Sequence, residues 1–128
     1  CREKLEAYLE NYLYTPYLWG GKSNFATDCS GFTQSIFKMF GIRLSRDASQ
    51  QFMQGNTVAS LNEAKAGDLA FFSNNAGKIV HVGILLSKDS IVHASAYVRL
   101  DKIDAKGIFR VEDGVYSHSL KQIRRFFI

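Results

Sequence analysis

The 128-residue chain holds a single proline and only two cysteines, and nowhere does it string together an apolar run long enough to cross a membrane, which takes roughly 20 residues. Two cysteines exclude a disulfide-dense scaffold. The N-terminus has no apolar stretch of the signal-peptide type. Neither sign of charge dominates: 16 Lys and Arg stand against 12 Asp and Glu, a formal net charge of +4. The positive charges are scattered, and the one tight basic pair, Arg124 and Arg125, lies in an apolar C-terminal run, so we read a solvated face rather than a nucleic-acid footprint. Internal repeats, low-complexity tracts and Pro/Gly/Ser linkers are also missing, which leaves one domain, 1–128. What is present is 46% hydrophobic residues. At this length a single core buries about two-thirds of the unfolded chain's surface, so neither metal nor disulfide is needed to hold it.

The periodic residues Leu5, Leu9, Tyr12 and Leu13 predict an amphipathic helix that Pro16 stops, followed by the loop Tyr17-Leu18-Trp19-Gly20-Gly21. Because residue 1 is Cys1, with no initiator Met, we expect a processed protein or an excised domain, the C-terminal part of something longer. Asp28-Cys29-Ser30-Gly31 opens a second periodic run, Phe32, Ile36, Phe37 and Phe40, closed by Gly41, which predicts a helix over about 29–40. A short helix is expected across 46–53, with Asp47 or Ser45 near its start. From residue 67 the pattern turns to short β-rich runs, predicting strands at 68–72, 79–86, 90–96, 98–100 and 123–127. Helices first and strands after define an α+β domain.

Cys29 falls at the first turn of its helix, where orphan N–H groups and the dipole favour a thiolate, while Asp28 and Ser30 offer polar support and Gly31 leaves room for close approach. A buried structural cysteine is the commoner fate of a lone Cys. The histidines shift the balance. His81 lies in the apolar run 79–86, where an ionisable group is costly without a partner, and His93 lies in the next strand. The turn Ser87-Lys88-Asp89-Ser90 joins them as a hairpin, and both rings share a face when opposing residue numbers sum to an even value, as a three- or five-residue loop allows. His93 then orients His81 while His81 takes a proton from Cys29, the logic of nucleophile, base and orienter. Cys with two His can also bind zinc, but the three are widely separated, no C-x-x-C or H-E-x-x-H occurs, and no fourth ligand is evident. Gly77, Gly83 and Asn74-Asn75 read as turn or packing positions, and His118, in a polar segment, as a surface residue. Tyr17 and Trp19 are either core or part of a substrate wall beside the nucleophile.

Taken in order, Tyr17-Leu18-Trp19-Gly20-Gly21, Asp28-Cys29-Ser30-Gly31-Phe32, Arg46-Asp47-Ala48-Ser49-Gln50-Gln51, Gly67-Asp68-Leu69, His81-Val82-Gly83-Ile84 and His93-Ala94-Ser95 resemble the NlpC family of bacterial cell-wall cysteine peptidases. The likeness runs from about Tyr14 to the C-terminus. It implies a reduced papain-like α+β fold, with helices packed on a central antiparallel sheet. It also implies that Cys29 is the nucleophile, His81 the general base and His93 the orienting residue. Tyr17, twelve residues before Cys29, matches a tyrosine that helps position the substrate or its oxyanion.

The family cleaves peptidoglycan stem peptides between γ-D-glutamate and the adjacent diaminopimelate or lysine. The segment 45–51 resembles the branch in which an Asp and a nearby Ser, here Asp47 and Ser49, bind the free amino end of a peptide beginning with L-Ala. A carboxylate in a narrow cleft suits that task, although Asp47 could also merely cap a helix. Trp19, Asp28 and Ser30 complete the candidate substrate-binding set. The likeness implies no metal or organic cofactor, and we expect a monomer in the bacterial cell envelope, or in the cytoplasm if it recycles free peptides. Relatives in this branch carry SH-three-like barrels ahead of the catalytic domain, and some are lipoproteins, for which Cys1 would be the anchor.

Overall fold

The computed structural model describes residue 7 and residues 28–95, 97–110 and 114–126. The expected N-terminal helix, Cys1, and the loop with Tyr17 and Trp19 lie outside the described residues.

Helix α1, Cys29–Met39, forms where the periodicity predicts it. Asp28 caps it by accepting the Gly31 N–H at 2.7 Å, which satisfies one of the orphan donors of the first turn. At the other end Gly41 takes φ 77°, and the Ile42 and Gly41 N–H groups donate to Phe37 and Lys38, the paired bonds of a Schellman stop. Phe32, Ile36 and Phe37 are wholly buried, each contributing about 2–3 kcal/mol by leaving water. Helix α2, Ala48–Gln51, is shorter than expected. Its buried Gln51 ties it to the start of α1: Nε2 donates to the Ser30 and Ser45 carbonyls at 3.1 and 2.7 Å, and Oε1 accepts from Thr33 at 2.8 Å.

Among the described residues seven antiparallel strands follow: β1 Asn56–Val58, β2 Leu69–Ser73, β3 Ile79–Leu85, β4 Ser90–Ser95, β5 Tyr97–Asp104, β6 Gly107–Arg110 and β7 Val115–Arg125. Their order is β1-β7-β2-β3-β4-β5-β6, and a further β6–β7 pairing curls the sheet back on itself into a barrel-like arrangement. Several bounds depart from expectation. The strand expected at 98–100 extends to Asp104, and the one expected at 123–127 begins eight residues earlier, at Val115. The polar run before Ile123 is held as strand by partners rather than propensity, since β7 is flanked by β6, β2 and β1 in turn.

Strand alternation divides the core in two. Leu69, Phe71, Val82, Ile84, Val92 and Ala94 pack with α1, while Ala70, Phe72, Leu85, Ile91, Ile103 and Ile108 form a second cluster on the opposite face, inside the curl. The basic pair at the C-terminus is engaged in the fold rather than solvated. Arg125 donates to both oxygens of Asp68 at 2.9 Å, and the Arg124 guanidinium lies 4.8 Å from the Phe52 ring centre.

Candidate active site

Five of the candidate residues line one cleft of about 570 Å³: Asp28, Cys29, Ser30, Asp47 and Ser49, with Lys78, Ile79 and Val80 on the β3 side. Asp28 and Ser30 are occupied with the scaffold. Both Asp28 oxygens accept from Arg46, at 3.1 and 3.0 Å, and Ser30 Oγ accepts from Arg46 at 3.0 Å. Asp47 stands at the N-cap position of α2, but its side chain makes no capping bond. Its exposed carboxylate is therefore not spent on the helix.

Cys29 is buried at the start of α1, and its sulfur meets the backbone N–H of Val82, the neighbour of His81 on β3. Here the helix-end expectation of a ready thiolate is reversed. Burial pushes the thiol up to about 11; the Val82 N–H works against that rise and the Asp28 charge adds to it.

The histidines take the expected register. Gly83 is opposite His93, and the Leu86 N–H bonds to the Ser90 carbonyl around a three-residue turn, so opposing numbers sum to an even value and both rings share a face. That face is the interior of the curl, the side of the sheet away from α1, whereas Cys29 meets β3 at the backbone of Val82, whose side chain packs with α1. Gly83 is a packing glycine, because a Cβ there would stand 2.9 Å from His93 Cβ and 2.7 Å from Ile91 Cδ1. The two rings are directly linked, His81 Nε2 to His93 Nδ1 at 2.9 Å.

Two neighbours of this pair were not legible in the sequence. Asp101, on β5, accepts from His93 Nε2 at 2.8 Å and is itself clasped by Arg99, whose Nε lies 2.7 Å from the same oxygen. His118, expected on the surface, is half-buried and stacks on His81 with centroids 4.0 Å apart and planes 19° from parallel, because the extended β7 carries it to the curl's interior beside Phe72. A ring nitrogen from each of the three histidines lies within 4.8 Å of the others. The arrangement suits a relay better than a metal: the His81 and His93 nitrogens are aimed at each other, the second His93 nitrogen is taken by Asp101, and His118 lies flat on His81 instead of converging with it.

Burial, followed by the charges of His118 and His93, holds His81 well below its ordinary 6.5. His93 is lowered by burial against the pull of Asp101, and His118 is lowered to about 4, again mainly by burial. In each case the unfolded chain binds protons that the native protein refuses. Native stability is therefore fully present above pH 6.5 and declines as pH falls toward 4. We expect thermal melts at pH 7 and 5 to show that loss, and His118→Gln to show a smaller one.

A cysteine at a helix N-terminus, packed against an antiparallel sheet that carries linked histidines, defines an α+β domain. Residues 14–124 match the NlpC/P60 family. The chain belongs to that family, a family of peptidases. It is 39% identical over 118 residues to a gamma-D-glutamyl-L-lysine dipeptidyl-peptidase of Bacillus subtilis (strain 168), covering 91% of this chain and 38% of that protein. A probable endopeptidase of Haemophilus influenzae is 41% identical over 83 residues, 63% of this chain and 51% of that one. The crystal structure of an NlpC/P60 family protein from Bacillus cereus superposes with a TM-score of 0.83 at 29% identity, over 98% of this chain and 40% of that one. The NlpC/p60 domain of the peptidoglycan hydrolase SagA gives a TM-score of 0.76 at 27% identity, over 98% and 99% of the two chains. The chain thus spans well under two thirds of the curated relatives named here, and nearly all of the isolated SagA domain.

Proposed function

We propose that the chain is a cysteine peptidase that hydrolyses the γ-D-glutamyl–diamino acid bond of peptidoglycan stem peptides in cell-wall turnover or recycling. The observation that carries this reading is the match of residues 14–124 to the NlpC/P60 family, supported by Cys29 at a helix start against β3, the strand that also carries His81 in its link to His93. The names of the relatives point to the same substrate class, lysine included.

The resting site holds a thiol and a neutral imidazole, since burial raises the one and lowers the other. In this reading His81 removes the Cys29 proton as the sulfur attacks the γ-glutamyl carbonyl carbon, rather than meeting a preformed thiolate. The negative charge that develops on the carbonyl oxygen is taken by the Cys29 N–H, a first-turn donor, with Tyr17 as the second group. As the C–N bond breaks, His81 returns its proton to the leaving amine. It then takes a proton from the water that attacks the thioester, and it reprotonates the departing sulfur. The site of action is the cell envelope, or the cytoplasm for peptides already released from the wall.

Asp47 supplies selectivity in this reading, its exposed carboxylate, which makes no capping bond, pairing with the free ammonium of L-Ala. The test uses L-Ala-γ-D-Glu-diaminopimelate and its lysine counterpart, each with a free and a blocked N-terminus. Release of the diamino acid is expected from the free forms, with Asp47→Asn raising KM about tenfold on those alone. Equal cleavage of free and blocked forms would remove the amine-anchoring role. If a folded protein cleaves none of them, the γ-glutamyl assignment is wrong.

A further inference from the structure

We propose that Asp101 is a positioning residue that acts through His93 to hold His81 in the tautomer whose Nδ1 carries no proton. Only the kinetic arm of its test rests on the peptidase reading above.

A carboxylate is acceptor-only, so the nitrogen it faces has to be the donor. Asp101 Oδ2 lies 2.8 Å from His93 Nε2, which places the His93 proton on Nε2 and leaves Nδ1 with a lone pair. That lone pair is 2.9 Å from His81 Nε2 and can only accept, so His81 carries its proton on Nε2 and Nδ1 is bare. One buried charge thereby dictates the protonation of a ring it does not touch. Without it the chain His81–His93 can reverse, with His93 donating from Nδ1 and the His81 proton moving to Nδ1, where it removes the base.

Three further observations support this ordering. Asp101 is held as a carboxylate: burial works to raise it, but the hydrogen bonds from His93 and Arg99 outweigh that and keep it below the usual range. It is also fixed in place, because Arg99 reaches one oxygen with Nε at 2.7 Å and the other with Nη2 at 3.3 Å. The competing state, a doubly protonated His93, would send a proton toward His81. Burial opposes it, as do the charges of Arg99 on β5 and Arg110 on β6; the other titratable groups facing the ring are the imidazoles of His81 on β3 and His118 on β7. A purely structural account would have Asp101 only neutralise the buried Arg99.

The decisive variant removes both members of that ion pair. Arg99→Met with Asp101→Leu replaces it by apolar side chains of similar volume, an exchange that buried ion pairs often tolerate. Correlation of imidazole nitrogens and protons by NMR at pH 7.5 should show His81 and His93 of the 128-residue chain protonated on Nε2 alone. In the double variant, His81 should also populate the Nδ1–H form. With the lysine tripeptide, kcat should fall about 100-fold while KM stays within about twofold, and melting should confirm the fold. Asp101→Asn keeps an acceptor but loses the charge; it carries the same test, with a smaller fall, if the double variant folds poorly. Unchanged tautomers together with unchanged kcat would overturn the proposal and leave the structural account. If the wild-type chain cleaves no stem peptide, the peptidase reading fails while the NMR arm still decides the role of Asp101.

Discussion

Replacing Cys29 by alanine is expected to lower stem-peptide cleavage about 10⁴-fold or more while leaving the protein folded. The argument depends on what the substitution removes. Cys29 is the first residue of α1, and alanine is the best helix former, so the backbone loses nothing. The cap belongs to Asp28 and Gly31, not to the thiol. Only the buried sulfur is lost, worth about 1 kcal/mol of packing, which separates the effect on turnover from any effect on stability. Turnover of the tripeptide and a thermal melt, measured side by side, check this. Cleavage at more than about one hundredth of the wild-type rate would mean the acyl group is not carried on Cys29. Alkylation supplies a second observable. A thiol pushed up to about 11 reacts slowly with iodoacetamide near neutrality, in contrast to the fast reaction of a preformed thiolate.

That contrast marks where the sequence could be read and where it could not. The helix carrying Cys29 was legible because its signals are local: Asp28 as cap, apolar residues at helical spacing, and Gly41 at the stop. The shared face of His81 and His93 was legible because a short turn fixes the hairpin's register. The electrostatics of Cys29 were not, since helix-end polarity is local while burial is decided by everything packed above it. Asp101 was invisible for a related reason. Its contact with His93 depends on the register of β5 against β4, where Ile91 is opposite Asp101 and His93 opposite Arg99, and nothing in an isolated Leu-Asp-Lys stretch announces that. His118 was misjudged because β7 alternates polar residues that look solvated, yet pairs on both sides and turns this ring inward. The short strands β1 and β6 escaped for want of length. Local chemistry thus marked Cys29 and the two histidines as candidates, while Asp101 and His118 arrive from strands distant in sequence.

His81→Gln is expected to cost about 10³-fold in kcat, within the range for losing a general base, with little change in KM because the ring acts on the Cys29 proton rather than on substrate binding. Glutamine keeps a polar group facing His93, so the linked pair is shortened rather than emptied. The pH profile distinguishes this role from a structural one. In the folded protein His81 gains its proton only well below 6.5, so the wild-type acid limb should lie below that value and activity should persist as pH falls through 6.5. Stability moves differently over the same interval. The depressed histidines make it decline from pH 6.5 downward, so at pH 5 the enzyme should be measurably less stable and still active. Initial rates between pH 4.5 and 8, taken well below the melting temperature at each pH, keep the two apart. An acid limb centred at or above 6.5 would mean that the catalytic imidazole is solvated, and would remove His81 from the role of buried neutral base. In His81→Gln the limb should vanish with the group that causes it, leaving a low rate that rises only as hydroxide or Cys29 ionisation supplies the missing base toward about pH 11.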